Sequence, residues 1–307
     1  MPVDAELQPI LALMNSGPPL REVPLEQLRQ FTPAPAGPPV PLESVTDRTL
    51  PTAAGELPVR IYAPRAATGL PVLVYFHGGG FVLGSLDSHD GVARRLALDA
   101  DCIVVSVDYR LAPEHRFPAA ADDALHAVRW VLEHAGEVGG DARRVVVGGD
   151  SAGANLAAVS VLRLREGGAA LPRGQLLIYP VTHLRSPLEG SMLENGDGYF
   201  LRAIDMQWFE DMYLQSPADA AHPHASPLLA KDLRGLPSAF VLTAEFDPLR
   251  DQGAAYAARL AAAGVPCVHS DYPGAFHGFF GMPVGISQRA VAEACGWLKT
   301  AFADTQS

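Results

Sequence analysis

Short apolar segments with β-strand character alternate with helical patterns along most of this 307-residue chain. The inner segments are almost continuously apolar, which is typical of strands covered by helices on both faces. Strands are predicted at 57–64, 71–77, 102–108, 144–149, 174–180, 239–245 and 266–272, with an eighth near 43–50. Helices are predicted at about 88–100, 119–135, 152–166, 249–264 and 286–303. This alternation predicts an α/β fold with a mostly parallel, doubly wound sheet.

Two segments do not fit the alternation. The first 40 residues hold a short amphipathic helix and then a stretch at 17–39 that is rich in Pro and Gly. Residues 183–215 separate two predicted strands, are strongly aromatic, and are too long for a simple crossover. We expect both segments to be additions to the core sheet.

Composition excludes some classes of partner and compartment. The formal net charge of −11 argues against nucleic acid or an anionic membrane as the main partner. Cys102, Cys267 and Cys295 are odd in number and lack CxxC spacing, which favours buried free thiols over disulfides. The N-terminal residues show no signal-peptide pattern, and no window approaches 18 uncharged apolar residues. We therefore expect a soluble, cytoplasmic protein with no stable membrane association.

The sequence GDSAG at 149–153 has the pattern G-x-S-x-G at the junction of a predicted strand and a predicted helix. A serine on such a sharp turn is exposed above the sheet, and its small neighbours avoid steric clashes. Ser151 is therefore a candidate nucleophile. For this motif alone, the alternative is a tight structural turn that contains an incidental serine.

A serine nucleophile needs a histidine base, which in this kind of fold follows the serine and the acid in chain order. Five histidines follow Ser151: His183, His222, His224, His269 and His277. The first three come before a carboxylate at a later strand end, and His269 lies within a predicted strand. His277 stands in the Gly- and aromatic-rich loop PGAFHGFF, between the last strand and the last helix. This position favours His277, because ligands bind at the carboxyl edge of open α/β sheets.

The carboxylate that orients the base should follow the preceding strand. The segment FVLTAEFDPLRD offers Glu245, Asp247 and Asp251. Asp247 lies in the turn just past the strand, whereas Asp251 is already one turn into a helix. We therefore predict that Asp247 is the acid and that Glu245 has a supporting or structural role.

Three consecutive glycines follow His77 in the stretch VYFHGGGFVLG, residues 74–84. Attack on an ester carbonyl places negative charge on oxygen, which preorganised N–H donors must stabilise. Glycines allow the backbone to approach the substrate closely because they have no Cβ atom. The residue after the nucleophile, Ala152, supplies one donor, and the glycine loop is predicted to supply another.

Five sequence blocks together resemble a known family. They are HGGGF at 77–81, DYRLAPEHRFPAAADDALHAVRWV at 108–131, GDSAG at 149–153, DPLRD at 247–251 and HGF at 277–279. In this order they resemble the hormone-sensitive-lipase-like, bacterial family IV carboxylesterases of the α/β-hydrolase fold, in the subgroup with the GDSAG motif. The resemblance extends from about residue 40 to the end of the chain.

The resemblance implies Ser151, Asp247 and His277 as a catalytic triad. It implies Gly78, Gly79 and Ala152 as the oxyanion donors. It also implies a helical cap formed by residues 1–42 and 183–215, over a catalytic core formed by 43–182 and 216–307. Neither a cofactor nor a metal is expected, because the triad needs none and the H-x-H at 222–224 lacks a third ligand.

The predicted activity is hydrolysis of short- to medium-chain carboxylic esters through an acyl-enzyme on Ser151. Two alternatives remain: a peptidase of the same fold, and a protein of this fold that binds a small ligand without hydrolysing it. The second predicts a broken triad, whereas His277 is present in its expected block. The predicted partner is a small-molecule ester, and the chain is expected to be a monomer or a homodimer.

The predicted pocket depends on a helix at 199–214, YFLRAIDMQWFEDMYL. Apolar side chains form two neighbouring stripes on this helix, and only one stripe is needed for packing against the core. Met206 and Phe209 are candidates for the wall of the acyl pocket. Phe81, beside the glycine loop, and Asp150, beside the nucleophile, complete the predicted pocket.

Overall fold

The computed structural model describes residues 2–30, 38–52 and 55–303, and its centre is a mixed sheet of eight strands. The strands are β1 Ser44–Thr52, β2 Gly55–Ala63, β3 Leu70–Phe76, β4 Ile103–Val107, β5 Gly140–Asp150, β6 Gly174–Ile178, β7 Ser238–Phe246 and β8 Cys267–Phe276. Their order in the sheet is β1-β2-β4-β3-β5-β6-β7-β8. The strand β2 is antiparallel to both neighbours, and the pairings from β4 to β8 are all parallel. The predicted α/β architecture is confirmed.

Helices cover both faces of this sheet. In the described residues they are α1 Gln8–Asn15, α2 Leu25–Gln30, α3 Asp90–Ala100, α4 Ala119–His134, α5 Ala152–Glu166, α6 Ser191–Glu194, α7 Ala203–Tyr213, α8 Arg250–Ala262 and α9 Gly285–Ala303. Short 3-10 helices lie at Leu20–Glu22, Ala135–Val138, Pro217–Ala221 and Pro227–Leu229. None of the described helices has both the length and the apolar character needed to cross a membrane.

The apolar strands explain why two layers of helices are needed. Side chains alternate between the two faces of a strand, so a strand that is apolar throughout must be covered twice. In β3, Val72 and Val74 pack in the cluster that contains α4, α5 and α8, whereas Leu73 and Tyr75 pack in the cluster that contains α3 and α9. The core therefore consists of two apolar layers, one on each side of the sheet.

The two segments that do not fit the strand–helix alternation contact each other. The backbone N–H of Leu20 donates to the Asp205 carboxylate at 3.1 Å. Asn15 donates to the carbonyl of Gly198 at 2.7 Å and accepts from the N–H of Phe200 at 3.1 Å. The predicted helix at 199–214 begins later, at Ala203. Part of the Pro- and Gly-rich stretch, residues 31–37, lies outside the described residues.

Candidate active site

Ser151 stands at the turn between β5 and α5 with a φ of +54°, a conformation that is uncommon for residues other than glycine. The two glycines of the motif make this turn possible. A Cβ atom on Gly149 would lie 2.4 Å from the carbonyl oxygen of Phe76, and one on Gly153 would lie 1.9 Å from it. The end of β3 therefore packs directly against the turn, and the G-x-S-x-G spacing is a packing requirement.

The structure brings Ser151, His277 and Asp247 into one hydrogen-bonded series. His277 Nε2 lies 3.0 Å from Ser151 Oγ, and His277 Nδ1 lies 2.7 Å from Asp247 Oδ2. All three residues are buried, and Asp247 is fully so. Each follows the carboxyl end of a parallel strand, β5, β7 or β8, so the sheet itself places them at one edge. This arrangement allows a proton to pass from the serine hydroxyl to an imidazole held by a carboxylate.

The other candidate bases and acids have different partners. His269 Nε2 lies 3.0 Å from Thr243 Oγ1 on the exposed side of β8, and His224 Nε2 lies 2.7 Å from a Glu166 oxygen. The Glu245 carboxylate accepts the N–H of Gly274 at 2.7 Å, and Asp251 accepts the N–H of Ser191 at 2.7 Å. Glu245 thus supports the strand that leads to His277, as its predicted supporting role requires.

One of the predicted oxyanion donors in the glycine loop already has an acceptor within the protein. The N–H of Gly78 donates to Asp150 Oδ1 at 3.0 Å, so it is already occupied by a protein acceptor. The N–H groups of Gly79, Gly80 and Ala152 have no hydrogen-bond acceptor in the described part of the chain. Gly80 was not among the predicted donors, although the third consecutive glycine was a signal that the close approach extends one residue further.

Asp150, one of the predicted pocket residues, is 7% exposed and supports the glycine loop. Its Oδ1 accepts from the Tyr75 hydroxyl at 2.8 Å as well as from Gly78, and it lies 3.4 Å from His89 Nε2. Burial acts to raise the pKa of Asp150, but His89, Tyr75 and His77 together hold it below its ordinary value. An ionised carboxylate, hydrogen-bonded through Oδ1, is therefore used here to fix the loop.

Phe81, Met206 and Phe209, the other predicted pocket residues, differ in how much of each side chain is exposed. Phe81 is 2% exposed, and its ring stacks on Tyr213 of α7 at 3.8 Å, so it joins the loop to the helix and offers little surface to a ligand. Met206 is 7% exposed and packs in the core. Phe209 is only partly buried, and its ring lies 2.4 Å from the position that a Cβ on Gly80 would take. Phe209 thus combines a partly exposed ring with a position against Gly80.

His77, at the start of the glycine loop, gives the fold a dependence on pH. Burial, with a contribution from His89, lowers the pKa of His77 to about 4. In the unfolded chain a histidine titrates near pH 6.5, so between these values only the unfolded state takes up the proton. The free energy of unfolding should therefore fall as the pH falls from about 6.5 to about 4, by ~3 kcal/mol at about 1.4 kcal/mol per pH unit.

Denaturant unfolding of the wild type and of His77→Asn between pH 7 and pH 4 measures this contribution. The Asn side chain keeps a donor near the Gly78 carbonyl oxygen, which lies 2.8 Å from His77 Nδ1. The variant should lose less free energy of unfolding over this pH range than the wild type does. Equal losses in the two proteins would contradict the role of His77.

Comparisons with known proteins agree with this geometry. A family model described as the alpha/beta hydrolase fold matches residues 73–281, more than half of the chain. The chain belongs to the α/β-hydrolase family. It is 45% identical over 262 residues to the carboxylic ester hydrolase LipN of Mycobacterium tuberculosis, covering 83% of this chain and 69% of the relative. It is also 45% identical over 247 residues to an ethyl acetate hydrolase of Pseudomonas putida, covering 78% and 77%.

A solved structure of this family resembles the whole chain. The hyperthermophilic esterase of the archaeon Pyrobaculum calidifontis superimposes with a TM-score of 0.92 at 39% sequence identity, covering 99% of this chain and all of that one. The match includes the segments before β1 and between β6 and β7, so these additions to the sheet are shared with that α/β-hydrolase.

Within the described residues, no group of three or more His, Cys, Asp or Glu side chains is arranged to hold a metal ion.

Proposed function

We propose that this chain is a carboxylic ester hydrolase in which Ser151 is the nucleophile, His277 the general base and acid, and Asp247 the orienting carboxylate. The observation that carries the proposal is the buried hydrogen-bonded series between these three side chains, at 3.0 and 2.7 Å. The names of two relatives, a carboxylic ester hydrolase and an ethyl acetate hydrolase, support the same reaction class.

The proposed reaction has two halves. His277 Nε2 takes the proton of Ser151 as Oγ attacks the ester carbonyl, and Asp247 holds the proton on Nδ1 and stabilises the imidazolium. The alcohol then leaves with the proton from Nε2, and the acyl group remains on Ser151. Water repeats the sequence, with His277 as its base, and releases the carboxylic acid. No cofactor enters either half.

The proposed oxyanion donors are the N–H groups of Gly79, Gly80 and Ala152. They are free of protein acceptors in the described residues, and Ala152 opens helix α5 directly after the nucleophile. The positive end of a helix dipole adds to the stabilisation of a developing negative charge. Asp150 acts on this loop indirectly, by holding the neighbouring Gly78.

The proposed domain organisation assigns residues 1–42 and 183–215 to a cap over the core, which comprises 43–182 and 216–307. Hydrogen bonds between the two cap segments, from Asn15 and from Leu20, support this assignment. Helix α7 of the cap presents Phe209 to the glycine loop. We infer that the Phe209 ring bounds the acyl pocket and restricts it to short and medium chains.

The proposed setting is the cytoplasm, with a small-molecule ester as the partner of a monomer or homodimer. The three cysteines are free thiols, two of them buried, which suits a reducing compartment. The net charge of −11 makes binding to nucleic acid unfavourable.

Chromogenic esters of increasing acyl length test both the reaction and the pocket. Wild-type kcat/KM should be highest at about four to eight acyl carbons, each methylene contributing up to ~0.8 kcal/mol until the pocket is full. In Phe209→Ala the optimum should move to longer chains, because the ring no longer limits the pocket. Ile204→Ala is the matched control, since Ile204 lies on the same helix but is 40% exposed.

A chromogenic peptide anilide, measured alongside the esters, separates esterase from peptidase activity. We expect ester turnover without efficient anilide turnover. Preferential cleavage of the anilide, or no turnover of any ester, would contradict the proposed function. Efficient hydrolysis of emulsified long-chain triglycerides, or an optimum unmoved by substitution of both Met206 and Phe209, would show that α7 does not bound the pocket.

A further inference from the structure

A short part of the insertion between β6 and β7, residues 191–200, contacts the loop that carries Asp247; we name it the clamp segment. Asn195 in this segment is buried, with 5% of its surface exposed. Its Nδ2 donates to the carbonyl oxygen of Glu245 at 3.0 Å and lies 3.3 Å from that of Asp247. One amide group therefore bridges two carbonyls around the bend that presents the Asp247 carboxylate.

Ser191 makes a second attachment to the same loop. Its hydroxyl donates to the carbonyl of Pro248 at 2.9 Å and accepts from the N–H of Asp251 at 3.1 Å. Its own N–H donates to Asp251 Oδ2 at 2.7 Å. The clamp segment thus binds backbone groups on both sides of Asp247.

The clamp segment also contacts the loop that carries His277. A ring atom of Phe200 lies 3.3 Å from the position of a Cβ on Gly278, the residue after His277. The Tyr199 ring stacks on Phe246, next to Asp247, at 4.7 Å. The loops that carry the two residues therefore pack against one segment.

We propose that Asn195 is a positioning residue that holds Asp247 at hydrogen-bond distance from His277. This proposal rests on the proposed function, because it requires Asp247 to act as the acid of the triad. Within its own loop, the Asp247 carboxylate is fixed by accepting the N–H of Leu249 at 2.8 Å. The sheet places Asp247 at the same edge as His277, with Phe246 paired to Phe276, and the Asn195 amide then fixes the loop that carries the Asp247 carboxylate.

Replacement of Asn195 by alanine should lower kcat by about 10-fold, since misplacement of a catalytic group by about 1 Å can cost up to 10²-fold. KM should stay within about 2-fold, because the lost interactions do not involve the substrate. Asn195→Asp should be at least as damaging, since it places an oxygen opposite two carbonyl oxygens. Rates are expressed per active site, counted by stoichiometric reaction with an organophosphonate, so that a misfolded fraction does not count.

Asn195→Ala in an Asp247→Asn background tests whether Asn195 acts on kcat through Asp247. If Asn195 acts through Asp247, Asn195→Ala should change kcat by less than about 2-fold in that background. An equal loss in both backgrounds, a loss confined to KM, or an unchanged kcat in Asn195→Ala would overturn the positioning role. If Asp247→Asn alone keeps wild-type kcat, the proposed function itself fails, and the two failures are thereby distinguished.

Two further variants complete the test. Leu193→Ala is the matched control, because Leu193 lies in the same short helix but its side chain is 64% exposed. Its kcat should stay within about 2-fold of wild type. If Asn195→Ala does not fold, Ser191→Ala tests the second attachment of the clamp segment to the same loop and should lower kcat by about 3-fold at constant KM. An unchanged kcat in Ser191→Ala would then overturn the proposal.

Discussion

Ester turnover is expected to fall by roughly 10³-fold or more when Ser151 is replaced by alanine. The hydroxyl is the proposed nucleophile, and its hydrogen bond in the described structure is to His277. The fold should persist, because alanine keeps the Cβ atom and leaves Gly149 and Gly153 in place. Steady-state rates with a chromogenic ester, together with circular dichroism, measure both parts of this expectation.

Ser160→Ala is a matched control on the helix that follows Ser151, because Ser160 is also buried but its hydroxyl donates to the carbonyl of Leu156 at 2.7 Å. Its ester turnover should stay close to that of the wild type. An organophosphonate should add once to the wild type, at Ser151, and not to Ser151→Ala. A label found on another serine would refute the assignment of the nucleophile.

Asp247→Asn is expected to lower kcat by roughly 10⁴-fold. One oxygen of Asp247 accepts the N–H of Leu249 at 2.8 Å, so the oxygen of an asparagine would remain there. The amide nitrogen would then face His277 Nδ1, where the other Asp247 oxygen now lies at 2.7 Å. This arrangement favours a proton on Nε2, and an imidazole in that form cannot take the proton of Ser151. His277→Ala, which removes the base, should be similarly severe.

Glu245→Gln and Asp251→Asn are the controls for the choice of carboxylate. The glutamine keeps an oxygen that can accept the N–H of Gly274, which now lies 2.7 Å from Glu245. We expect each control to lower kcat by less than about 10-fold. If Glu245→Gln proved as damaging as Asp247→Asn, the proposed acid would be the wrong residue.

Much of the fold was predictable because its signals are local. Continuous apolar segments such as β3 and β4 must be covered on both faces, and this requirement alone predicts a parallel sheet between two layers of helices. The order of Ser151, Asp247 and His277 along the chain was also informative, because the carboxyl ends of parallel strands share one edge. The predicted strands and helices were found, with shifts at their ends, such as the later start of α7 at Ala203.

The glycine loop shows where local signals were insufficient. Sequence alone predicted that its N–H groups face a developing negative charge, but it did not indicate which of them already serve the protein. The Asp150 carboxylate, 72 residues away in sequence, accepts the N–H of Gly78. Sequence alone also did not indicate that Phe81 and Met206 are only 2% and 7% exposed. For Met206, helical periodicity identifies apolar stripes but not the face that packs inward.

The sequence by itself determined the α/β architecture, the sharp turn at Ser151 and the residues of the hydrogen-bonded series. Each of these depends on a short pattern of side chains. The tertiary structure alone decided which N–H groups remain free, which ring meets Gly80, and how Asn195 reaches the loop of Asp247. These contacts join residues about 50 to 130 positions apart. The contact between Gly78 and Asp150 depends on the pairing of β3 with β5, and the other contacts depend on how the additions dock onto the edge of the sheet. No local periodicity in the sequence predicts either arrangement.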